Sequence, residues 1–221
     1  MITTLINIAF FFLPQFILTQ KQQNSNDPPL FPFTPETGYL NVLPENNPDK
    51  SNNQMFYWIF RAKNSPTTAP LLIWLDGGPG CAGTFGLFFN IGPFQVNNFK
   101  YDPTTGKYTG DKKADLRETS WHANYNVLFP DNPIGVGFST NQDQYLPKNE
   151  AEATGQFVAF LLNFLEKYPE FKARPIILTG ASFGGHWAPF FGSALINLNN
   201  PDVNIQGLVI ASGLMSNKEL Y

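Results

Sequence analysis

A serine placed between two glycines is the strongest chemical signal in this chain of 221 residues. Ser182 lies in the segment LTGASFGGHWAPFF (178–191), where Gly180 and Gly184 complete the pattern G-x-S-x-G. In hydrolases this pattern forms a tight turn from a strand into a helix, which presents the serine hydroxyl as a nucleophile. The backbone N–H of Phe183 would then face the oxyanion that forms during acyl transfer. The alternative is a glycine-rich turn that contains an incidental serine.

A second glycine-rich segment, WLDGGPGCAG (74–83), follows a short apolar stretch. Gly77 and Gly78 leave successive backbone N–H groups accessible, so the segment could donate a second hydrogen bond to an oxyanion. The alternative is a tight β-turn built on Pro79 and Gly80. Taken alone, this segment leaves both interpretations open.

A nucleophilic serine requires a histidine base, which is in turn oriented by a carboxylate. The chain has two histidines, His122 in SWHANYN and His186 four residues after Ser182. For His186, a packed and hydrogen-bonded structural role is the favoured interpretation. These residues therefore indicate a nucleophile but do not by themselves assign its base.

The elements around these motifs alternate between strands and helices. Phenylalanine, leucine and tyrosine recur at helical spacing between residues 149 and 168, and Pro169 marks the end of that helix. A second helix is expected after the serine, over residues 188–200. Strands are expected at 55–64, 70–75, 125–130, 175–180 and 205–213. This alternation predicts an α/β protein with an open, mostly parallel sheet.

The N-terminal region predicts a leader and a polar approach to the domain. The apolar run Leu5–Leu18 has the length of a signal-peptide core and is short for a membrane span, so residues 1–19 are interpreted as a cleaved secretory signal. Residues 20–221 are then one domain, in which residues 20–55 form a surface approach rich in Asn and Pro. A net charge of −3 provides no basic surface for nucleic acid. No cofactor or metal site is expected, and the oligomeric state stays open.

Three segments together resemble the serine carboxypeptidase family of α/β-hydrolases: WLDGGPGCAGTFGLFFNIGPF, SWHANYNVLFPDNPIGVGFS and TGASFGGHWAP. They occur in the order and spacing of that family, over about residues 35–215. The resemblance implies a mostly parallel central sheet with helices on both faces. It also implies Ser182 as nucleophile, the N–H groups of Gly78 and Phe183 as oxyanion hole, and a peptide or ester substrate that passes through an acyl-enzyme. Extracellular space or a lysosome or vacuole is the implied location.

Members of this family carry the orienting Asp and the base His far downstream of the serine, and they pair the cysteine at position 81 with a later one. This sequence shows none of these, and Cys81 is its single cysteine. The resemblance therefore implies an N-terminal portion of one α/β-hydrolase domain whose C-terminal part is missing. The chain by itself is expected to be inactive.

The family holds the substrate's terminal carboxylate with an Asn and two Glu residues. Asp76, Ala181 and Asn90 occupy those positions here, beside Trp74 and Gly77 in the predicted substrate-binding segment. All three differ from the family pattern, which puts binding of the substrate's terminal carboxylate in doubt. Two other functions therefore stay open: an acyltransferase or esterase on the same scaffold, and a catalytically inactive homologue that binds a partner.

Overall fold

The computed structural model describes residues 35–42, 53–96, 100–109, 114–141 and 146–214, and the predicted signal segment lies outside these ranges. A central sheet of six strands forms the middle layer. Its strands are β1 (Glu36–Asn41), β2 (Gln54–Phe60), β3 (Leu71–Leu75), β8 (Asn126–Pro130), β9 (Pro175–Ala181) and β10 (Asn204–Ala211). Two small sheets pair β4 (Phe94–Gln95) with β7 (Asp115–Leu116) and β5 (Lys100–Asp102) with β6 (Lys107–Thr109).

The spatial order of the central sheet is β1-β2-β8-β3-β9-β10. Strands β8, β3, β9 and β10 run parallel, whereas β1 and β2 add an antiparallel edge. The predicted α/β class with a mostly parallel sheet is confirmed. One part of the prediction is wrong: residues 36–41 are not a surface approach, because they pair with β2 as strand β1.

In the described ranges, three α-helices cover the sheet: α1 (Gly83–Phe89), α2 (Glu150–Lys167) and α3 (Gly184–Asn197). Short 3₁₀ turns lie at Trp121–Ala123 and Pro169–Phe171. Helix α2 begins where the Asn149 side chain accepts a hydrogen bond from the N–H of Glu152 at 2.9 Å, which satisfies a first-turn donor. Within the described residues, no helix is long and apolar enough to cross a bilayer.

The two faces of the sheet carry separate apolar cores. Helices α2 and α3 pack on one face, where the rings of Phe157 and Phe191 stack with centroids 4.2 Å apart. Helix α1 packs on the other face, which is built largely from aromatic side chains such as Trp58, Phe60 and Phe94. Helices therefore lie on both faces, as the family resemblance implied.

Strand β8 connects two polar positions through an entirely buried apolar segment. At its start, the Asn126 side chain accepts from the N–H of Ala62 at 3.1 Å and donates to the carbonyl oxygens of Pro66 and Ala69 at 3.1 and 2.9 Å. Just after its end lies Asp131, a fully buried carboxyl. These two side chains fix opposite ends of the same strand.

Strand β10 is the outer strand of the sheet within the described residues. It carries no charge, and Leu208, Val209 and Ile210 are 44%, 42% and 36% exposed. Uncharged apolar edges promote edge-to-edge association. We expect the 221-residue chain to elute as large species in size-exclusion chromatography, and Val209→Lys to increase the monomer fraction. Ser193→Lys adds the same charge at an exposed polar position on α3, outside β10, and should change little; equal behaviour of the two variants would contradict this account.

Candidate active site

The turn around Ser182 joins the carboxyl end of β9 to the amino end of α3. Ser182 has φ of 54°, in the left-handed region that a residue with a side chain rarely adopts. Its side chain is exposed, and its carbonyl accepts from the N–H of Gly185 at 3.0 Å. A Cβ atom at Gly180 would overlap the carbonyl oxygen of Gly184, and one at Gly184 would overlap that of Leu75. Both glycines are therefore required by close backbone approach.

The second glycine-rich segment lies directly against this turn. A Cβ atom at Gly77 would sit 2.8 Å from the Cβ atom of Ser182 and 3.0 Å from the backbone nitrogen of Phe183. Gly78 is exposed and has φ of 108°, which favours glycine. The N–H groups of Gly78 and Phe183 donate to no acceptor in the described part of the chain. The fold thus brings the segment that contains Gly78 against the turn that contains Ser182 and Phe183.

Asp76 is half-buried between the end of β3 and Gly77. Its carboxylate accepts from the Trp74 indole N–H at 3.0 Å and from the N–H of Gly77 at 3.4 Å. Burial raises the pKa of Asp76 to about 6, although these hydrogen bonds oppose the rise. The Trp74 ring is buried and meets Trp121 edge to face, at 6.4 Å between centroids.

Because the pKa of Asp76 is raised, ionisation of this aspartate at neutral pH should lower the free energy of unfolding. Because its folded pKa of about 6 exceeds the unfolded value of about 3.9, stability falls as pH rises between them and the loss is complete above pH 6. We expect Asp76→Asn to stabilise the fold by about 1–2 kcal/mol at pH 7.5 and not at pH 4. Urea unfolding at both pH values measures this; an equal gain at both would contradict the ionisation argument.

The two remaining predicted substrate-binding positions lie in different settings. Ala181 is the half-buried last residue of β9, and its carbonyl oxygen would be 3.0 Å from a Cβ atom at Gly77. Asn90 is exposed at the C-terminus of α1, where its N–H donates to the carbonyl of Gly86 at 3.1 Å. Ala181 therefore adjoins the Ser182 turn, whereas the bond that the structure gives Asn90 is a helix-capping one to Gly86.

Among the described residues, neither histidine is hydrogen-bonded to Ser182; each has another partner. His186 is engaged by Glu150, with its Nε2 atom 2.9 Å from the Glu150 carboxylate. His122 lies before β8, at the amino edge of the parallel strands, whereas Ser182 follows β9 at their carboxyl edge. The Nδ1 atom of His122 is 2.7 Å from the Ser120 hydroxyl, and burial, with a smaller effect of Lys63, lowers its pKa to about 4.

The sequence did not reveal a buried network around Asp131. Its Oδ1 atom accepts from the N–H and the hydroxyl of Thr84 at 2.9 and 2.8 Å, and its Oδ2 atom accepts from the N–H of Phe138 at 3.0 Å. Burial raises the pKa of Asp131 to about 6 against these bonds, with Asp76 adding a smaller repulsion. In the sequence, Asp131 is part of PDNP, which resembles an ordinary turn.

Two further features of the site are the state of Cys81 and the metal-ligating side chains of the described residues. Cys81 is a half-buried free thiol, and burial, followed by the negative charge of Asp76, raises its pKa. In the portion of the chain that the structure covers, no group of three or more His, Cys, Asp or Glu side chains could hold a metal ion.

Comparison with known proteins gives a consistent set of relatives. A sequence profile of the family described as "Serine carboxypeptidase" matches residues 25–221. Vitellogenic carboxypeptidase of Aedes aegypti is 36% identical over 74% of this chain and 33% of its own length. Serine carboxypeptidase-like 50 of Arabidopsis thaliana is 35% identical over 93% of this chain and 45% of its own length. The chain thus spans less than half the length of these relatives.

A solved structure extends the match from sequence to fold. The prohormone-processing carboxypeptidase of Saccharomyces cerevisiae superimposes with a TM-score of 0.69 and 31% sequence identity. The match covers 85% of this chain and 40% of that structure. The profile covers most of the chain, and the fold and the three motifs agree with it, so this chain belongs to the serine carboxypeptidase family.

Proposed function

We propose that Ser182 is the nucleophile of a serine-type carboxypeptidase, which cleaves peptides through an acyl-enzyme. One observation carries the proposal: Ser182 is held at a positive φ with an exposed side chain, directly against Gly77. A strained turn of this kind is tolerated where the surrounding structure enforces it, and such turns are frequent at active sites. The relatives named as carboxypeptidases support a peptide substrate.

In the proposed reaction, the Ser182 oxygen attacks the scissile carbonyl carbon while a base takes its proton. The C–N bond then breaks as that proton passes to the nitrogen, and the amine leaves. The N–H groups of Gly78 and Phe183 stabilise the negative charge that develops on the carbonyl oxygen. Water subsequently hydrolyses the acyl-enzyme. These steps need a base that takes the serine proton, and the contacts of His122 with Ser120 and of His186 with Glu150 support structural roles for both histidines. We therefore propose that residues 20–221 alone turn over peptides at background rate.

Acyl transfer to an alcohol is a second candidate on the same nucleophile. Asp76 favours this candidate. Its half-buried carboxylate accepts hydrogen bonds, whereas the terminal carboxylate of a peptide would require a donor at this position. A secretory route is proposed from the apolar run Leu5–Leu18. Neither proposal changes the expected role of Ser182.

The test is labelling of the 221-residue chain with a fluorophosphonate, combined with an assay on a blocked dipeptide and a p-nitrophenyl ester. The Ser182 oxygen forms a bond to phosphorus, fluoride leaves, and the serine proton passes to solvent hydroxide. We expect slow labelling at Ser182, loss of labelling in Ser182→Ala, and background peptide turnover. Absence of labelling at Ser182 would refute the nucleophile. Rapid turnover that Ser182→Ala abolishes would reveal a base within the chain.

A further inference from the structure

Asp131 is a fully buried carboxyl group that the proposed acyl transfer does not use. It is 0% exposed, and its carboxylate accepts three hydrogen bonds from two residues that lie outside strand β8. Thr84 lies 47 residues away in sequence and Phe138 lies seven. The hydroxyl of Thr84 also accepts from the Trp58 indole N–H at 3.0 Å. The carboxylate therefore joins the start of α1, the end of β8 and strand β2.

The same contact fixes one end of the glycine-rich segment 76–83. A Cβ atom at Gly83 would overlap the carbonyl oxygen of Pro130, so the segment is pressed onto the end of β8. A Cβ atom at Gly137 would overlap Oδ2 of Asp131 and lie 2.8 Å from the Cβ atom of Ala82. The other end of the segment leaves β3 at Leu75. Between these two fixed ends, Gly77 contacts Ser182.

Helix α1 has no side chain of its own that caps its N-terminus. Ala82, at its N-cap, offers no hydrogen-bonding side chain, and its first turn contains no acidic residue. Asp131, which directly follows β8, supplies the missing acceptor and satisfies one of the helix's unpaired N–H groups. Loss of this acceptor would release the junction between α1 and the segment that carries Gly78.

We propose that Asp131 is a positioning residue, which holds the segment 76–83 through Thr84 so that the Gly78 N–H stays aimed at the oxyanion beside Ser182. The inference rests on the proposed role of Ser182. A purely structural Asp131 would contribute to stability alone. A positioning Asp131 affects in addition the rate at which Ser182 attacks a carbonyl or phosphoryl centre.

The test compares two isosteric substitutions at opposite ends of β8, Asp131→Asn and Asn126→Asp. The first places an amide N–H₂ against the N–H of Phe138 or against Thr84. The second places a carboxylate against the carbonyl oxygens of Pro66 and Ala69. Both should lower the unfolding midpoint, but only the first disturbs the segment next to Ser182. The readout is the rate of fluorophosphonate labelling of the 221-residue chain at pH 8, with Ser182→Ala as the blank.

We expect Asp131→Asn to slow labelling roughly 10- to 100-fold. Loss of one oxyanion donor reduces rates by about 10²–10³-fold, and displacement of the segment should remove part of that donor's rate enhancement. Asn126→Asp should stay within about twofold of wild type. Equal rates for Asp131→Asn and wild type, with both folded, would overturn the positioning role and leave Ser182 as nucleophile. A wild-type chain that labels no faster than Ser182→Ala would overturn both.

Thr84 provides an independent check that keeps the carboxylate in place. Thr84→Val removes the hydroxyl that donates to Asp131, whereas Thr84→Ser retains it. We expect slow labelling with valine and rescue to within about threefold of wild type with serine. If Asp131→Asn fails to fold, this pair decides the question, because labelling that is equally fast in both Thr84 variants would refute the proposed path.

Discussion

Gly184→Ala is expected to abolish folding of the chain, whereas the same substitution at Gly155 should increase stability. A Cβ atom at Gly184 would overlap the carbonyl oxygen of Leu75, and this backbone belongs to the central sheet. The Leu75 backbone cannot move away without breaking the β3–β9 pairing, and the Gly184 backbone cannot move away without breaking the start of α3. Overpacking against flexible side chains costs about 1–3 kcal/mol, and a clash with fixed backbone should exceed that range. Such a loss is a large part of a typical stability of about 5–15 kcal/mol.

Gly155 is the matched control because it also lies in a helix, near the start of α2, and a Cβ atom there would meet nothing within 4 Å. Gly155→Ala should add about 0.5–1 kcal/mol by reducing the entropy of the unfolded chain. Both variants are best made in the Val209→Lys background, and urea unfolding followed by tryptophan fluorescence provides the measurement. A Gly184→Ala protein with a cooperative transition near that of wild type would show that the turn can relax.

Weak discrimination between a free and an amidated C-terminus is expected at neutral pH from any form of the protein that hydrolyses peptides. An ionised Asp76 about 4 Å from a substrate carboxylate would repel it by about 4 kcal/mol at an effective dielectric of 20. Ala181 provides no acid to compensate, and each missing charge-assisted hydrogen bond costs about 1.5–3 kcal/mol. Asp76→Asn combined with Ala181→Glu should therefore raise the preference for the free acid.

The pH dependence of this preference follows from the pKa of Asp76 of about 6. Below that pH the carboxyl is protonated, the repulsion disappears and an O–H donor is available, so the preference for the free acid should rise from pH 7.5 to pH 5. Asp76→Asn should remove this dependence, since its amide does not titrate. The measurement is kcat/KM on a matched pair of blocked peptides. A wild-type preference for the acid of about 100-fold at pH 7.5, or about 2.7 kcal/mol, would contradict the argument.

Local patterns in the sequence were sufficient for the elements that carry strong periodicity or strained turns. The apolar spacing from Phe157 to Tyr168 predicted α2 because one helical face had to be buried, and the α2 range agrees with it. Strands β3, β8 and β9 were predicted to within about one residue, because short apolar runs ended at glycine, proline or asparagine signals. The Ser182 turn was expected because G-x-S-x-G lay between a predicted strand and a predicted helix.

Elements that depend on distant partners could not be predicted from local patterns. Strand β1 lies in a polar stretch and exists because β2 offers it hydrogen bonds. Helix α1 has seven residues, two of them glycine, and no capping side chain of its own. Its acceptor, Asp131, is 47 positions away and is surrounded by prolines that indicate a turn. The packing of Gly77 on Ser182 likewise joins segments that only the folded sheet brings together.

The polar residues at the two ends of β8 also decide how that strand aligns with its neighbours. A slip of two residues would return Val127 and Phe129 to the same face, so apolar packing alone would tolerate it. The slip would move Asn126 and Asp131 by about 6.6 Å along the sheet. Their buried partners would then lose their hydrogen bonds, at about 1–3 kcal/mol for each unpaired group. The polar residues at its two ends thereby fix the register of β8 and exclude the shifted pairings that its apolar middle would permit.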